Sequence, residues 1–135
     1  MSQLTTLLRP NTARTIAWVY TVCILLLVAL PLNGEGQLLG NLNDNYVMEI
    51  RLDYLSHALL FIPWVLVGGY GWELHHRNRI RIGLSYLLAL TFAAFCEYLQ
   101  LLLPYRTFNI NDLVSNALGV TLGFLLLWAW FRSGK

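Results

Sequence analysis

Seven side chains able to bind a polar group or move a proton fall into short groups along an otherwise apolar chain. Asp53 and His57 are four residues apart, Glu97 and Gln100 three apart, and Asp112 and Asn116 again four apart, with Arg106 before the last pair. On helices, these spacings place both members of a pair on one face. Acid, imidazole, amide and guanidinium together can transfer protons, hydrogen-bond a head group or hold an anion. The groups are densest from Phe95 to Asn116, FCEYLQLLLPYRTFNINDLVSN, where an apolar run breaks at Pro104 and resumes at Asp112.

The elements that must position them are set by composition. The 135 residues are 57% hydrophobic and 12% charged, with a mean hydropathy of +0.56, about half the charge of an average soluble domain. An integral membrane protein is expected, as a single domain over residues 1–135. The net charge of +2 leaves no basic stripe for nucleic acid. Cys23 and Cys96 lie in apolar runs without a CxxC partner, and read as packing residues rather than a disulfide or metal site.

Hydropathy predicts four spans, at about 16–32, 54–72, 82–103 and 112–131, hence an all-α, four-helix transmembrane bundle. The basic start before the first span also suits a signal peptide. Its apolar run is long for one, and Leu30-Pro31-Leu32-Asn33-Gly34 lacks a small-residue cleavage site, which favours a retained helix. A Gly- and Asn-rich connection follows, ending in a short amphipathic piece, Val47 to Leu52, expected at the interface. Asp53 is the expected N-cap of the second helix. Pro63 removes a donor from the Leu59 carbonyl and predicts a kink, while Gly68, Gly69 and Gly71 are expected to loosen the helix end. Pro104 should terminate the third span.

Four spans place both termini on one side. Seven of the nine Lys and Arg, namely Arg9, Arg14, Arg77, Arg79, Arg81, Arg132 and Lys135, fall there against Arg51 and Arg106, so both termini are expected to be cytoplasmic. Trp18, Trp72, Trp128 and Trp130 fit an inner aromatic belt, and Tyr54, Tyr98 and Tyr105 an outer one. Topology alone explains the basic turn around His75 and His76.

With this topology the three polar pairs meet at the outer ends of the second, third and fourth helices. In the fourth, Asp112, Asn116, Gly119 and Gly123 follow i, i+4, i+7, i+11 and form one stripe. Its small residues should pack against a neighbouring helix, turning the polar pair inward. Structural roles compete at each position. Asp53 and Asp112 suit helix starts, Asp53 could orient His57, Gln100 and Asn116 could bond between helices, and Arg106 could pair with Asp112 or Asp53. Glu97 fits such roles least. It lies six residues before Leu103, roughly 9 Å along a helix, toward a C-terminus whose dipole disfavours an acid. It needs a proton or a partner, Arg106 or His57, as a general acid or base would.

The ordered motifs DYLSH (Asp53, His57), EYLQ (Glu97, Gln100), PYR (Pro104, Arg106) and DLVSNALGVTLG (Asp112, Asn116, Gly119, Gly123) resemble those of VanZ-like membrane proteins over roughly residues 51–124. That family takes its name from an accessory factor of teicoplanin resistance in bacteria. Tyr54 stands where members of the family commonly carry lysine, removing a cation beside the site. The resemblance implies a multi-pass protein of the bacterial plasma membrane with a role in the cell envelope, including resistance to lipid-tailed glycopeptides.

Two functions are expected to compete. In the first, an outward-facing pocket binds a membrane lipid or an amphiphilic lipoglycopeptide, with Arg106, Gln100, Asp112 and Asn116 as ligand contacts. In the second, an enzyme acts on a lipid- or peptidoglycan-linked substrate, with Asp53 orienting His57 and His57 or Glu97 moving protons. Ser56 and Ser115 lack an elbow motif, so hydrolysis would need an activated water. One histidine among carboxylates is weak evidence for zinc, and neither metal nor cofactor is expected. A transporter would need a second polar cluster to complete a path, and the spans offer none.

Overall fold

The computed structural model describes residues 9–30, 46–47, 50–104 and 108–133, with only the backbone described at 46–47 and 50–53. Among them are four helices long and apolar enough to cross a membrane: α1 Pro10–Ala29, α2 Leu52–Gly71, α3 Arg79–Gln100 and α4 Ile110–Ser133. A 3-10 turn, Leu74–His76, precedes α3.

Local chemistry shifts the ends from those that hydropathy suggests. α1 starts six residues before Ile16, because Pro10 occupies the first turn, where its fixed φ is preorganised and its missing N–H costs nothing. It stops at Ala29, and Leu30 is extended (ψ 142°), as a residue before a proline prefers to be. α2 begins at Leu52, so Asp53 sits inside the first turn rather than at the cap. α3 is capped by Asn78, whose side chain accepts the Arg81 N–H at 2.9 Å. It ends at Gln100, three residues before Leu103. A proline ring clashes with the carbonyl four residues earlier, and for Pro104 that carbonyl belongs to Gln100. Before α2, Tyr46–Val47 (β1) pairs antiparallel with Ile50–Arg51 (β2), with Tyr46 opposite Arg51. This small ribbon lies in the stretch expected to be an amphipathic piece at the interface.

α2 and α4 form the closest pair; α1 packs on α2, α3 packs on α4, and α1 meets α3 only lightly. The core runs through Ile24, Phe61, Val65, Ala93, Val120 and Leu127. Leu59, Leu84, Leu88, Leu118 and Leu125 point outward, the surface a bilayer would cover. Cys96 is buried, but Cys23 faces outward and does not pack in the core.

Gly119 and Gly123 lie where α4 crosses α2. A Cβ on Gly119 would overlap the Ala58 carbonyl oxygen and lie 2.9 Å from the Ala58 Cα; one on Gly123 would lie 2.7 Å from the Val65 Cβ. The glycines at the end of α2 do not loosen it. Gly71 is buried against α1, where a Cβ would come within 2.9 Å of the Arg14 nitrogen. There Arg14 Nε donates to the Gly71 carbonyl at 2.7 Å and its guanidinium pairs with Glu73 at 3.3 Å.

α2 continues unbroken through Pro63, and α1 supports it on either side of that residue. Tyr20 donates its hydroxyl to the Leu60 carbonyl at 3.2 Å, and Trp64 Nε1 donates to Thr21 Oγ1 at 2.8 Å. Pro63 takes the regular donor from the Leu59 carbonyl, and the Tyr20 hydroxyl adds a bond from α1 at the adjoining Leu60 carbonyl. Tyr20→Phe should therefore cost about 1 kcal/mol. Thermal denaturation in detergent would show it as a lowered midpoint; an unchanged midpoint would mean that the hydroxyl contributes nothing at the proline.

The two ends differ in character. Arg9, Arg14, Arg77, Arg79, Arg81 and Arg132 gather at one, the basic end, together with Trp18 against Trp72 (6.1 Å between centroids) and Arg132 over Trp128 (4.3 Å). His75 lies there between His76 and Phe131. Partial desolvation, and then His76, hold its pKa below the ordinary imidazole range. The other end holds the polar pairs.

Candidate functional site

At the polar end, three helices bring their polar groups into one hydrogen-bonded chain. His57 on α2 meets Asn116 on α4 through Nδ1 and Oδ1 at 3.0 Å. The Asn116 Nδ2 donates to Glu97 Oε2 on α3 at 3.5 Å. Glu97 Oε1 accepts the backbone N–H of Asn109 at 3.4 Å. Glu97 is 0% and Asn116 1% exposed, so bulk water replaces none of these partners.

The chain has a direction. Asn116 spends its N–H on Glu97, so its oxygen faces His57 and must accept from Nδ1–H. His57 is thereby fixed with its proton on Nδ1 when neutral, and donors point from the imidazole toward the acid. The two bonds to Glu97 are longer than the roughly 2.7–2.9 Å of a tight charge-assisted bond.

α4 resolves the apparent misplacement of Glu97. Asn109 occupies the cap position of α4, and its side-chain oxygen accepts the Asn111 N–H at 3.0 Å. Its backbone carbonyl accepts from Asp112 and Leu113. Glu97 takes the N–H of this capping residue, so the carboxylate lies at the positive end of α4. In the last turn of its own helix Glu97 faces an unfavourable dipole; in the bundle, a neighbour supplies a favourable one. Asn109, three residues before Asp112, was legible as a cap from the spacing N-x-x-D. That its N–H would serve α3 was not.

Gln100 is buried one turn beyond Glu97, and Asp112 and Ser115 are buried at the start of α4. Tyr54 accepts a hydrogen bond from Asn111 Nδ2 at 3.1 Å, which ties the start of α2 to the start of α4. Arg106 and the side chain of Asp53 lie outside the described residues, so the pairings expected for them have no geometry here. Among the described residues, no three His, Cys, Asp or Glu side chains group as metal ligands would.

A family model described as VanZ/LLP1 matches residues 17–132. The chain belongs to the VanZ/LLP1 family. No curated protein and no solved structure matches it. The family match reaches well beyond the motif-bearing stretch, from α1 to the last turn of α4. The protein is thus a VanZ-family membrane protein with four helices of spanning length, and the chain from His57 to Asn109 links the three helices that carry the motifs. In this VanZ-family member the Tyr54 hydroxyl belongs to the α2–α4 junction.

Proposed function

We propose that the protein is a factor of the bacterial cell envelope whose polar end faces outward and receives the head group of an amphiphile, a lipid-tailed glycopeptide such as teicoplanin or an envelope lipid. The observation carrying this reading is the His57–Asn116–Glu97 chain itself. Buried polar groups are expensive within a lipid-facing bundle and are retained where they do a task. His57 is only half-buried, so it is the member of the chain best placed to meet a ligand, with Gln100, Asp112 and Arg106 as further contacts. Asn116 and Glu97 then hold its tautomer and ring orientation. A tail would lie along the apolar outer surface, and the head group at the membrane boundary.

Growth of a susceptible bacterium with a tailed and a tail-free glycopeptide tests this reading, at matched membrane levels of wild type, His57→Ala and empty vector. Wild type should protect against the tailed drug alone, and His57→Ala should lose that protection. Equal protection by wild type and His57→Ala would overturn the role assigned to the histidine.

The same chain also favours a second reading, an enzyme using Glu97 and His57 as acid and base on a lipid- or peptidoglycan-linked substrate. Glu97→Gln separates the two. A binder should keep saturable binding, with affinity changed by no more than about tenfold, since turning over Asn116 absorbs the amide and only the ligand-facing Nε2 of His57 changes, from acceptor to donor. Acid–base catalysis should fall by roughly 10² to 10⁴.

A further inference from the structure

A second site lies at the opposite end of the bundle, where α1 and α3 meet only lightly. There a cavity of about 470 Å³ opens between α1, α2 and α3. Its walls are Trp18 and Thr21 on α1, Trp64 and Gly68 on α2, and Ala89 and Phe92 on α3. Its lining is almost entirely apolar, because Thr21 is already engaged: its hydroxyl donates to the Ala17 carbonyl and accepts from Trp64. An apolar cavity of this kind has no use for water.

The mouth is of the opposite character. Leu74 and Ser85 line the basic end of the cavity, and each is bonded to an arginine of the turn: Arg77 N–H donates to the Leu74 carbonyl at 3.0 Å, and the Ser85 hydroxyl donates to the Arg81 carbonyl at 2.9 Å. Arg77, Arg79 and Arg81 are all exposed. The Trp18–Trp72 pair forms the facing rim, at 63% and 39% exposure, as amphipathic rings do at a head-group boundary. Among the described residues the acid near this rim, Glu73, is paired with Arg14 and so does not cancel the arginines of the turn.

We infer that this cavity holds one acyl chain of an anionic phospholipid whose phosphate is met by Arg77, Arg79 and Arg81. Apolar depth selects the tail, and the arginine turn selects the charge of the head group. A zwitterionic lipid would fill the cavity equally well but gain less at the rim, since each basic residue near a membrane surface favours anionic lipid several-fold. The site shares no residue with the polar end, and stands or falls independently of the function proposed for it.

Native mass spectrometry of the full chain in detergent, supplied with equal phosphatidylglycerol and phosphatidylcholine of identical chains, tests the inference. Wild type should retain one lipid, with phosphatidylglycerol preferred roughly tenfold. Arg79→Gln with Arg81→Gln should bring the two lipids close to parity. Gly68→Leu should reduce retention of both, because a Cβ there meets only the Trp72 ring, at 3.7 Å and 3.8 Å, and the longer side chain would extend into the cavity. Ser85→Phe fills the same space from the opposite wall and should have the same effect, should Gly68→Leu lower the yield. Parity of the two lipids on wild type, or unchanged retention in both filled variants, would overturn the inference and leave only the lipid that surrounds any membrane protein.

Discussion

Gly119→Ala should lower stability by about 3 kcal/mol, although it adds a single methyl group to a helix. The added carbon would overlap the carbonyl oxygen of Ala58 and crowd its Cα, and neither is a side chain that can swing aside. α2 and α4 would have to separate. Because Ala58 follows His57 directly, and Gly119 lies one turn from Asn116, separation would also stretch the 3.0 Å contact that links them. Packing and site are therefore predicted to fail together. Gly83→Ala is the control, since nothing lies within 4 Å of its Cβ position and alanine favours the helix by up to about 1 kcal/mol. Melting of both variants in detergent should show a clear loss for Gly119→Ala and no loss for Gly83→Ala; equal midpoints would mean that α2 and α4 are not in close contact.

Glu97→Leu should cost about 2 kcal/mol, because it strands Asn116 Nδ2 in a position closed to water and takes the acceptor from the half-buried Asn109 N–H. Glu97→Gln should cost much less. Its oxygen can keep the Asn109 N–H, and its amide N–H would then face Asn116. Asn116 can answer by turning over, presenting oxygen to Gln and nitrogen to His57, which must move its proton from Nδ1 to Nε2 to accept. The substitution thus reverses the direction of the whole chain. Nitrogen NMR of labelled His57 would report the tautomer: Nδ1–H in wild type, Nε2–H in Glu97→Gln. An unchanged tautomer would show that Asn116 does not couple the acid to the imidazole.

How far the sequence alone reached follows from which forces act along one helix and which act between helices. Four spans were legible because hydropathy is a property of each segment. The stripe of Asn116, Gly119 and Gly123 was legible because helical periodicity fixes a face. Ends were displaced where a single residue decides them, as Pro10 and Pro104 do. The glycines before Trp72 were misread because propensity describes an isolated helix, whereas Gly71 is placed by the approach of α1. The polar pairs pointed to one end of the bundle, but not to the order in which they bond. His57 meets Asn116 rather than only a neighbour on its own helix, and Glu97 is settled by the start of α4. Those facts belong to the relative height of three helices, which no pattern within a single helix encodes.

The central claim, that the polar end receives an amphiphile's head group, is tested most directly by binding. The full-length protein in lipid nanodiscs would be titrated with teicoplanin and with a tail-free glycopeptide, comparing wild type with His57→Ala. The account predicts saturable binding of teicoplanin to wild type, weaker by at least about tenfold for His57→Ala and absent for the tail-free drug, as loss of one well-made buried polar contact would give. Equal teicoplanin binding by the two proteins, or none above empty nanodiscs, would contradict it.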